Sequence, residues 1–287
     1  MIQNLNLKWF KFLKKVSLQE YSSKIFDMDV NEFKLKEKYI SSVRKLRKSS
    51  TYWGEKIFFD YARLNKATTI LEVGANDGAH TKKFLNELSN DVFSMEINPY
   101  SFEYLDNIRK IYYERFKFII AGASVVNNPV SFPIISHFKE KKLSQVSGVT
   151  GINKRNNTKE FMISHHMLAP VIKIDQLFKA NLLSNNNILW IDVEGHALEV
   201  LKGIGIKNLH KCEMIYVEVE SADFFQNGAS AEKVYEFLTK NDFLLIFRDF
   251  QSTGQFNLIF KKKSVLVTLA DDVKKYIQDI KTLKIEP

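Results

Sequence analysis

The stretch Leu71-Glu72-Val73-Gly74-Ala75-Asn76-Asp77-Gly78 decides the reading of this chain. It ends an apolar, β-rich run over 68–73 with a glycine-flanked turn, and Phe84, Leu85 and Leu88 continue at helical spacing, so strand, tight turn and helix follow one another. A second strand is predicted over 92–97. It runs into Asn98-Pro99, where Asn98 can cap and Pro99 can take the first helical position ahead of Phe102, Leu105 and Ile108. Further strands are predicted over 116–121, 188–192, 214–219, 243–247 and 256–260, with helical patterns through Leu198 and Leu201 and through Val234 and Leu238. Trp53, Ile57, Tyr61 and Leu64 mark a helix face before the first strand. The expected fold is α/β, a seven-stranded, mostly parallel Rossmann-like sheet. Its last two strands lie too close in sequence for a helical crossover and should form an antiparallel terminal hairpin at the sheet edge.

Outward from this core, 287 residues suit one α/β-sized domain with an appendage. The domain is expected over 53–287, behind a basic helical N-terminal extension at 1–52. The net charge is +9, but residues 1–50 carry +7 of it, so the remainder is nearly neutral. A nucleic-acid groove would need Lys and Arg across the site face, and this distribution argues against one. In the extension, Leu5, Trp9, Phe12, Leu13 and Val16 recur at helical spacing, with Lys8, Lys11, Lys14 and Lys15 largely elsewhere on the wheel. Such a helix over 1–16 either docks on the main domain, the preferred reading, or lies peripherally on an anionic membrane. One cysteine, Cys212, allows neither an internal disulfide nor a thiolate zinc cluster. No run is long and apolar enough to cross a bilayer and no secretory signal pattern opens the chain, so a cytoplasmic location is expected. The interval 122–187, with strand-like runs at 130–135 and 171–174 around a polar, basic stretch at 139–160, reads as an insertion capping the acceptor side.

Ligands of open α/β sheets bind beyond the carboxyl ends of the strands, which points back to the opening turn. Gly74 and Gly78 flank Asn76 rather than a third glycine, so the dinucleotide fingerprint is absent and hydride transfer with a nicotinamide is disfavoured. Asn tolerates positive φ, which suits Asn76 to the bend. Glu96 ends the second strand, where a carboxylate can accept hydrogen bonds from both hydroxyls of a ribose. Glu72, Asp77, Glu96 and Asp192 near the strand tips favour a cationic ligand over a pyrophosphate. S-adenosylmethionine, with a ribose, a sulfonium and no phosphate, fits. The candidate cofactor contacts are Glu72, Gly74, Ala75, Asn76, Gly78, Glu96, Ile97, Ala123 and Asp192. Methyl transfer to a hydroxyl also requires a base, and the catalytic candidates are Asp192, His196 and Glu194, with Glu218 further out. His165 and His166 in the insertion rank lower. Lys139, Lys141, Lys142, Lys154, Arg155 and Lys159 form either a solvated run or a site for an anionic acceptor. No ligand spacing demands a metal, and none is expected.

Four segments carry a resemblance to the FkbM-type family of S-adenosylmethionine-dependent methyltransferases: the opening stretch 71–78, the strand ending at Glu96 with Pro99 after it, Val171-Ile172-Lys173-Ile174-Asp175, and Ile191-Asp192-Val193-Glu194-Gly195. Leu201-Lys202-Gly203 and Tyr216-Val217-Glu218 extend it over roughly 68–220. The resemblance implies the class I methyltransferase sheet and methylation of a hydroxyl on a sugar, glycan or other small molecule. Two positions depart from the family pattern: Trp190 stands where a Lys usually precedes Ile-Asp, and Ala197 where a Glu usually follows the glycine by two. Loss of both charges would suit removal of an ion pair. The departures also leave open a catalytically impaired, membrane-associated cofactor-binding protein, while RNA methylation is the reading least favoured by the charge distribution.

Overall fold

The computed structural model describes residues 41–64 (backbone only over 41–50), 69–156, 160–183, 185–220, 225–226, 228–249, 255–265 and 267. The basic helix expected over 1–16 lies outside them. The elements run α1 (Ser41–Leu64), β1 (Thr69–Val73), α2 (Ala79–Glu87), β2 (Asp91–Glu96), a 3-10 turn (Pro99–Ser101), α3 (Phe102–Ile111), β3 (Phe116–Ile120), β4 (Gly122–Ala123), β5 (Pro129–Phe138), β6 (Lys141–Lys142), β7 (Phe161–Ile172), α4 (Asp175–Lys179), β8 (Asn187–Ile191), α5 (Ala197–Ile204), α6 (Ile206–Leu209), β9 (Cys212–Glu220), α7 (Ala231–Lys240), β10 (Phe243–Arg248) and β11 (Gln255–Lys262).

Seven strands form the main sheet in the order β10-β11-β9-β8-β1-β2-β3. All neighbours among β9, β8, β1, β2 and β3 pair in parallel. The terminal hairpin is antiparallel as expected, but only β10 takes the edge. β11 inserts between β10 and β9 and runs antiparallel to both. The chain reverses at β1, going outward through β2 and β3 and then returning to β8 on the other side, which opens a crevice at the tips of β1 and β8.

β1 and β8 are buried at every position, as strands covered on both faces must be. Alternate residues divide into two cores. Ile70, Ile188, Trp190 and Tyr216 pack with Phe58 and Phe84 beneath α1 and α2, while Leu71, Leu189, Ile191 and Val217 pack with Leu201, Val234 and Leu238 of α5 and α7. Each such side chain contributes about 1.5–3 kcal/mol on burial. The expected α1 face holds at Ile57 and Tyr61, but Leu64 is 64% exposed because the helix ends there, past the sheet it covers. The start of the main domain expected at residue 53 falls inside α1.

Asn98 and Pro99 act as the sequence suggests, the Asn98 side chain accepting from the Tyr100 N–H (3.1 Å) with Pro99 in the first helical position. The insertion builds a second, four-stranded sheet, β4-β7-β5-β6. Its long antiparallel pair β5–β7 is rooted by the parallel pairing of β4 with Val171 and Ile172. Among the described residues no helix is long and apolar enough to cross a membrane.

Candidate active site

The bend after β1 and the end of β8 touch through backbone. Asp192 N–H donates to the Val73 carbonyl (2.9 Å). Gly74 has φ +91°, and a Cβ there would lie 1.7 Å from the Asp192 carbonyl oxygen, so this approach admits only glycine. Two residues on, Asn76 takes φ +50°, the left-handed conformation expected of it. Its backbone N–H donates to Glu96 Oε2 (2.7 Å), and the Asn98 N–H donates to Glu96 Oε1 (2.8 Å). The carboxylate at the tip of β2 is thus turned onto the bend, and each oxygen retains acceptor capacity for a ligand hydroxyl. Burial pushes the Glu96 carboxyl above its ordinary range, opposed by the amides of Asn98 and Asn76.

Between these tips lies a cavity of about 360 Å³. Of the sequence candidates, Gly74, Ala75, Asn76, Glu96, Ile97, Ala123, Asp192, Glu194 and His196 stand on its wall. Glu72 and Gly78, also expected as cofactor contacts, are not on that wall. Glu72 points below the bend, where Oε2 accepts from the Ser94 hydroxyl (2.6 Å) and from the Thr81 hydroxyl, tying β1 to β2 and α2. Burial pushes its carboxyl up to about 7, against the hydroxyls of Ser94 and Thr81. Strand alternation decides this: Glu72 precedes the last residue of β1 and falls on the α2 side of the sheet. Gly78 faces Leu105 and Ile108 of α3. Asp77 is exposed and accepts from the Ala79 N–H (3.1 Å) at the start of α2.

The opposite wall is acidic. One oxygen from each of Asp192, Glu194 and Glu218 falls within 4.8 Å of the others, a spacing that could hold a cation. A guanidinium already occupies this neighbourhood, since Arg155 pairs with Glu194. Gln255 Nε2 donates to Glu218 (2.8 Å) and to Glu194 (3.3 Å). Burial, then the charge of Asp192, pushes Glu218 well above the usual carboxylate range, and burial also raises Asp192, to which Glu218 is hydrogen-bonded. Burial raises Glu194 to about 7 against the pull of Arg155, and raises Glu220, which accepts from the Gly195 N–H (2.9 Å), to about 8. His196 precedes α5, and its Nε2 and the Ser124 hydroxyl lie 3.1 Å apart. Burial lowers its basicity, so the imidazole is neutral near pH 7 and Nδ1 has no protein partner.

Arg155 belongs to this wall and not to a basic acceptor surface. It is wedged over the rings of Phe161 and Phe225 (5.1 and 4.9 Å). Lys139, in contrast, faces solvent beside Glu160 (3.7 Å), and Lys141 and Lys142 are exposed. His165 sits on β7 against Tyr100 (Oη to Nε2, 3.4 Å) and off the cavity wall, and His166 is exposed on the same strand.

Two wall features were not legible in advance. His80, on α2, lies against Trp190 (ring centroids 4.7 Å apart) with Nε2 3.8 Å from Glu55. Burial pulls its basicity down, but Glu55, Glu72 and Asp192 outweigh that and hold the imidazole above its usual value. The second is the loop 143–153, which crosses the cavity. The closely spaced Ser147-Gly148 and Thr150-Gly151 pairs, small residues in a polar insertion, were the available signal for it.

The departures at 190 and 197 do not form a lost pair. Trp190 is buried with Phe58, Phe84 and Tyr216, stacking on Tyr216 at 3.8 Å, while Ala197 packs in the core on the other face of the sheet.

A doubly wound sheet whose final strand runs antiparallel between its two neighbours, with a carboxylate at the tip of β2 facing the first turn, defines a class I methyltransferase. The methyltransferase FkbM domain matches residues 72–245, and the chain belongs to this family. No curated protein matches the chain. Solved structures similar to it include precorrin-6y C5,15-methyltransferase from Geobacter metallireducens GS-15 (13% identity, TM-score 0.39, covering 72% of this chain and 86% of that one). Another is magnesium protoporphyrin IX methyltransferase from Synechocystis PCC 6803 with bound SAM (9% identity, TM-score 0.42, 75% and 79% covered). A third, from Pyrococcus horikoshii, is described as a putative RNA methyltransferase (10% identity, TM-score 0.38, 74% and 84% covered). All three likenesses are distant.

Proposed function

We propose that this methyltransferase uses S-adenosylmethionine and methylates a hydroxyl of a sugar, glycan or other small molecule. The observation that carries the reading is the Glu96 carboxylate, anchored by the Asn76 and Asn98 amides and presented to the cavity beside Gly74. The residues fit the donor: Glu96 offers acceptor oxygens for ribose hydroxyls, and the Gly74 bend leaves a wall without a side chain. When bound, the donor supplies a methyl group on a cationic sulfur, which keeps the S–CH3 electron pair as the acceptor oxygen forms its new bond. The chain's own part is to orient the acceptor and remove its proton. Asp192, on the cavity wall and beside Glu218, accepts a hydrogen bond from the acceptor hydroxyl. His196, on the same wall and neutral near pH 7, takes the proton. The acceptor class rests on family membership.

Calorimetric titration with S-adenosylhomocysteine tests the reading. Wild type should bind, and Glu96→Ala should bind at least tenfold more weakly, because a carboxylate making charge-assisted hydrogen bonds is lost. Equal affinity in both proteins refutes the donor assignment. Loss of turnover in Asp192→Ala at unchanged donor affinity would exclude a catalytically impaired protein.

A further inference from the structure

The cavity wall is rich in carboxylates and poor in cations. Asp77, Glu96, Asp192 and Glu194 line it, and among the described lining residues there is no Lys or Arg. Two of those residues, His80 and His196, can carry positive charge, and burial keeps His196 neutral near pH 7. The proposed donor brings more than a ribose and a sulfonium. Its amino-acid end carries an ammonium, which an acidic wall attracts, and a carboxylate, which that wall repels. The carboxylate therefore calls for a cationic partner.

His80 has the surroundings of one. Its ring lies on the Trp190 indole (centroids 4.7 Å apart), an aromatic face that favours an imidazolium over a neutral imidazole. Nε2 is 3.8 Å from Glu55 Oε1 of α1, and Glu55 is also paired with Lys83, three residues further along α2. Glu72 of β1 and Asp192 after β8 act on the same ring, so three carboxylates and one ammonium surround it. Burial works against the charge, and the carboxylates outweigh it. No hydrogen bond from another described residue engages Nδ1, and 39% of the side chain is exposed, so the imidazole is open to a ligand. Ala79 and His80, the first two residues of α2, both stand on the wall, and the positive end of that helix adds to the attraction for an anion. The placement also suits the donor. Glu96 at the tip of β2 takes the ribose end, β1 separates β2 from β8, and Trp190 lies opposite Glu72 on the β8 side. A donor with its ribose on Glu96 and its chain across Gly74 brings its amino-acid end toward His80.

We propose that His80, as an imidazolium held by Glu55, binds the α-carboxylate of the S-adenosyl donor. The inference rests on the donor assignment above, and its test separates the two.

Full-length wild type and His80→Ala are titrated near pH 7 with S-adenosylhomocysteine and with its decarboxylated analogue, which keeps the adenosine, the sulfur and the amine. Wild type should bind S-adenosylhomocysteine about three- to tenfold more tightly than the analogue, because the analogue lacks the partner of a charge-assisted hydrogen bond at a partly exposed site. His80→Ala should lose that preference: its Kd for S-adenosylhomocysteine rises about three- to tenfold, while its Kd for the analogue stays within twofold of wild type. A merely structural role would weaken both ligands alike. Ligand-free melting of His80→Ala should stay close to that of wild type, since the side chain is partly exposed. Equal weakening of both ligands, or a preference kept within twofold of wild type, overturns the role of His80 alone, as does a wild type that binds the two ligands equally. Failure of wild type to bind either ligand overturns the donor assignment and this proposal together.

Discussion

Replacing Glu72 by Gln should make the fold more stable at neutral and alkaline pH. Glu72 is buried, and the folded carboxyl titrates at about 7 instead of the ordinary 4.5 because burial opposes its charge. Between those two values the native state keeps a proton that the unfolded chain has released. Unfolding therefore releases a proton, and stability falls as pH rises, starting near 4.5 and completing above 7. A displacement of about 2.5 pH units corresponds to about 3 kcal/mol, or roughly 6–12 °C in melting temperature for a domain of this size. Gln keeps an oxygen where Oε2 accepts from Ser94 and Thr81, and it carries no charge to desolvate. Asp192, Glu194 and Glu220 push the wild-type slope the same way, so the quantity to read is the difference between variant and wild type. Thermal melts from pH 5 to pH 9 should coincide at the acid end and diverge in favour of Glu72→Gln by pH 8. Parallel curves, or a variant less stable at pH 8 than at pH 5 by as much as wild type, would refute the assignment of a neutral buried acid.

Three further outcomes are expected. Gly74→Ala should cost about 3 kcal/mol or more in urea unfolding and abolish S-adenosylhomocysteine binding, since the added methyl collides with the Asp192 carbonyl at a positive φ. Arg155→Met should lower stability by roughly 3 kcal/mol at pH 8 by leaving the Glu194 charge buried and unpaired, and adding Glu194→Gln should recover most of the loss, a double-mutant comparison made by thermal melting. Trp190→Lys, which restores the residue usual in the family, should destabilise by about 3–5 kcal/mol in chemical denaturation, because an ammonium would replace a ring stacked on Tyr216 and packed against Phe58.

The parts of the site that follow from local rules were readable from the chain. The β1 bend declares itself through Gly74 and Asn76, whose positive φ matches the residue types, and Glu96 lies at the end of an apolar run that had to be a strand. Facing was harder to read. In a sheet buried on both sides, polar–apolar alternation vanishes, so the sequence does not say that Glu72 looks toward α2, or that positions 190 and 197 end in separate cores. The loop 143–153 has no periodicity, and its place is set by contacts distant in sequence, that of Gln145 with Asn98, 47 positions earlier, and, just past its end, that of Arg155 with Glu194, 39 positions later. Arg155 looked like one charge in a solvated run, and only its partner, supplied by the turn after β8, shows why it is inside.

The placement of β11 ties the chemistry to the order of synthesis. Gln255, the first residue of the last strand, is the amide that bridges Glu218 and Glu194, and β11 occupies the gap between strands made earlier. Until that strand emerges from the ribosome, β9 lacks its antiparallel neighbour and Glu218 lacks the Gln255 amide. A nascent chain therefore holds the residues of the first turn and the Glu96 tip long before it holds the amide that completes its carboxylate wall.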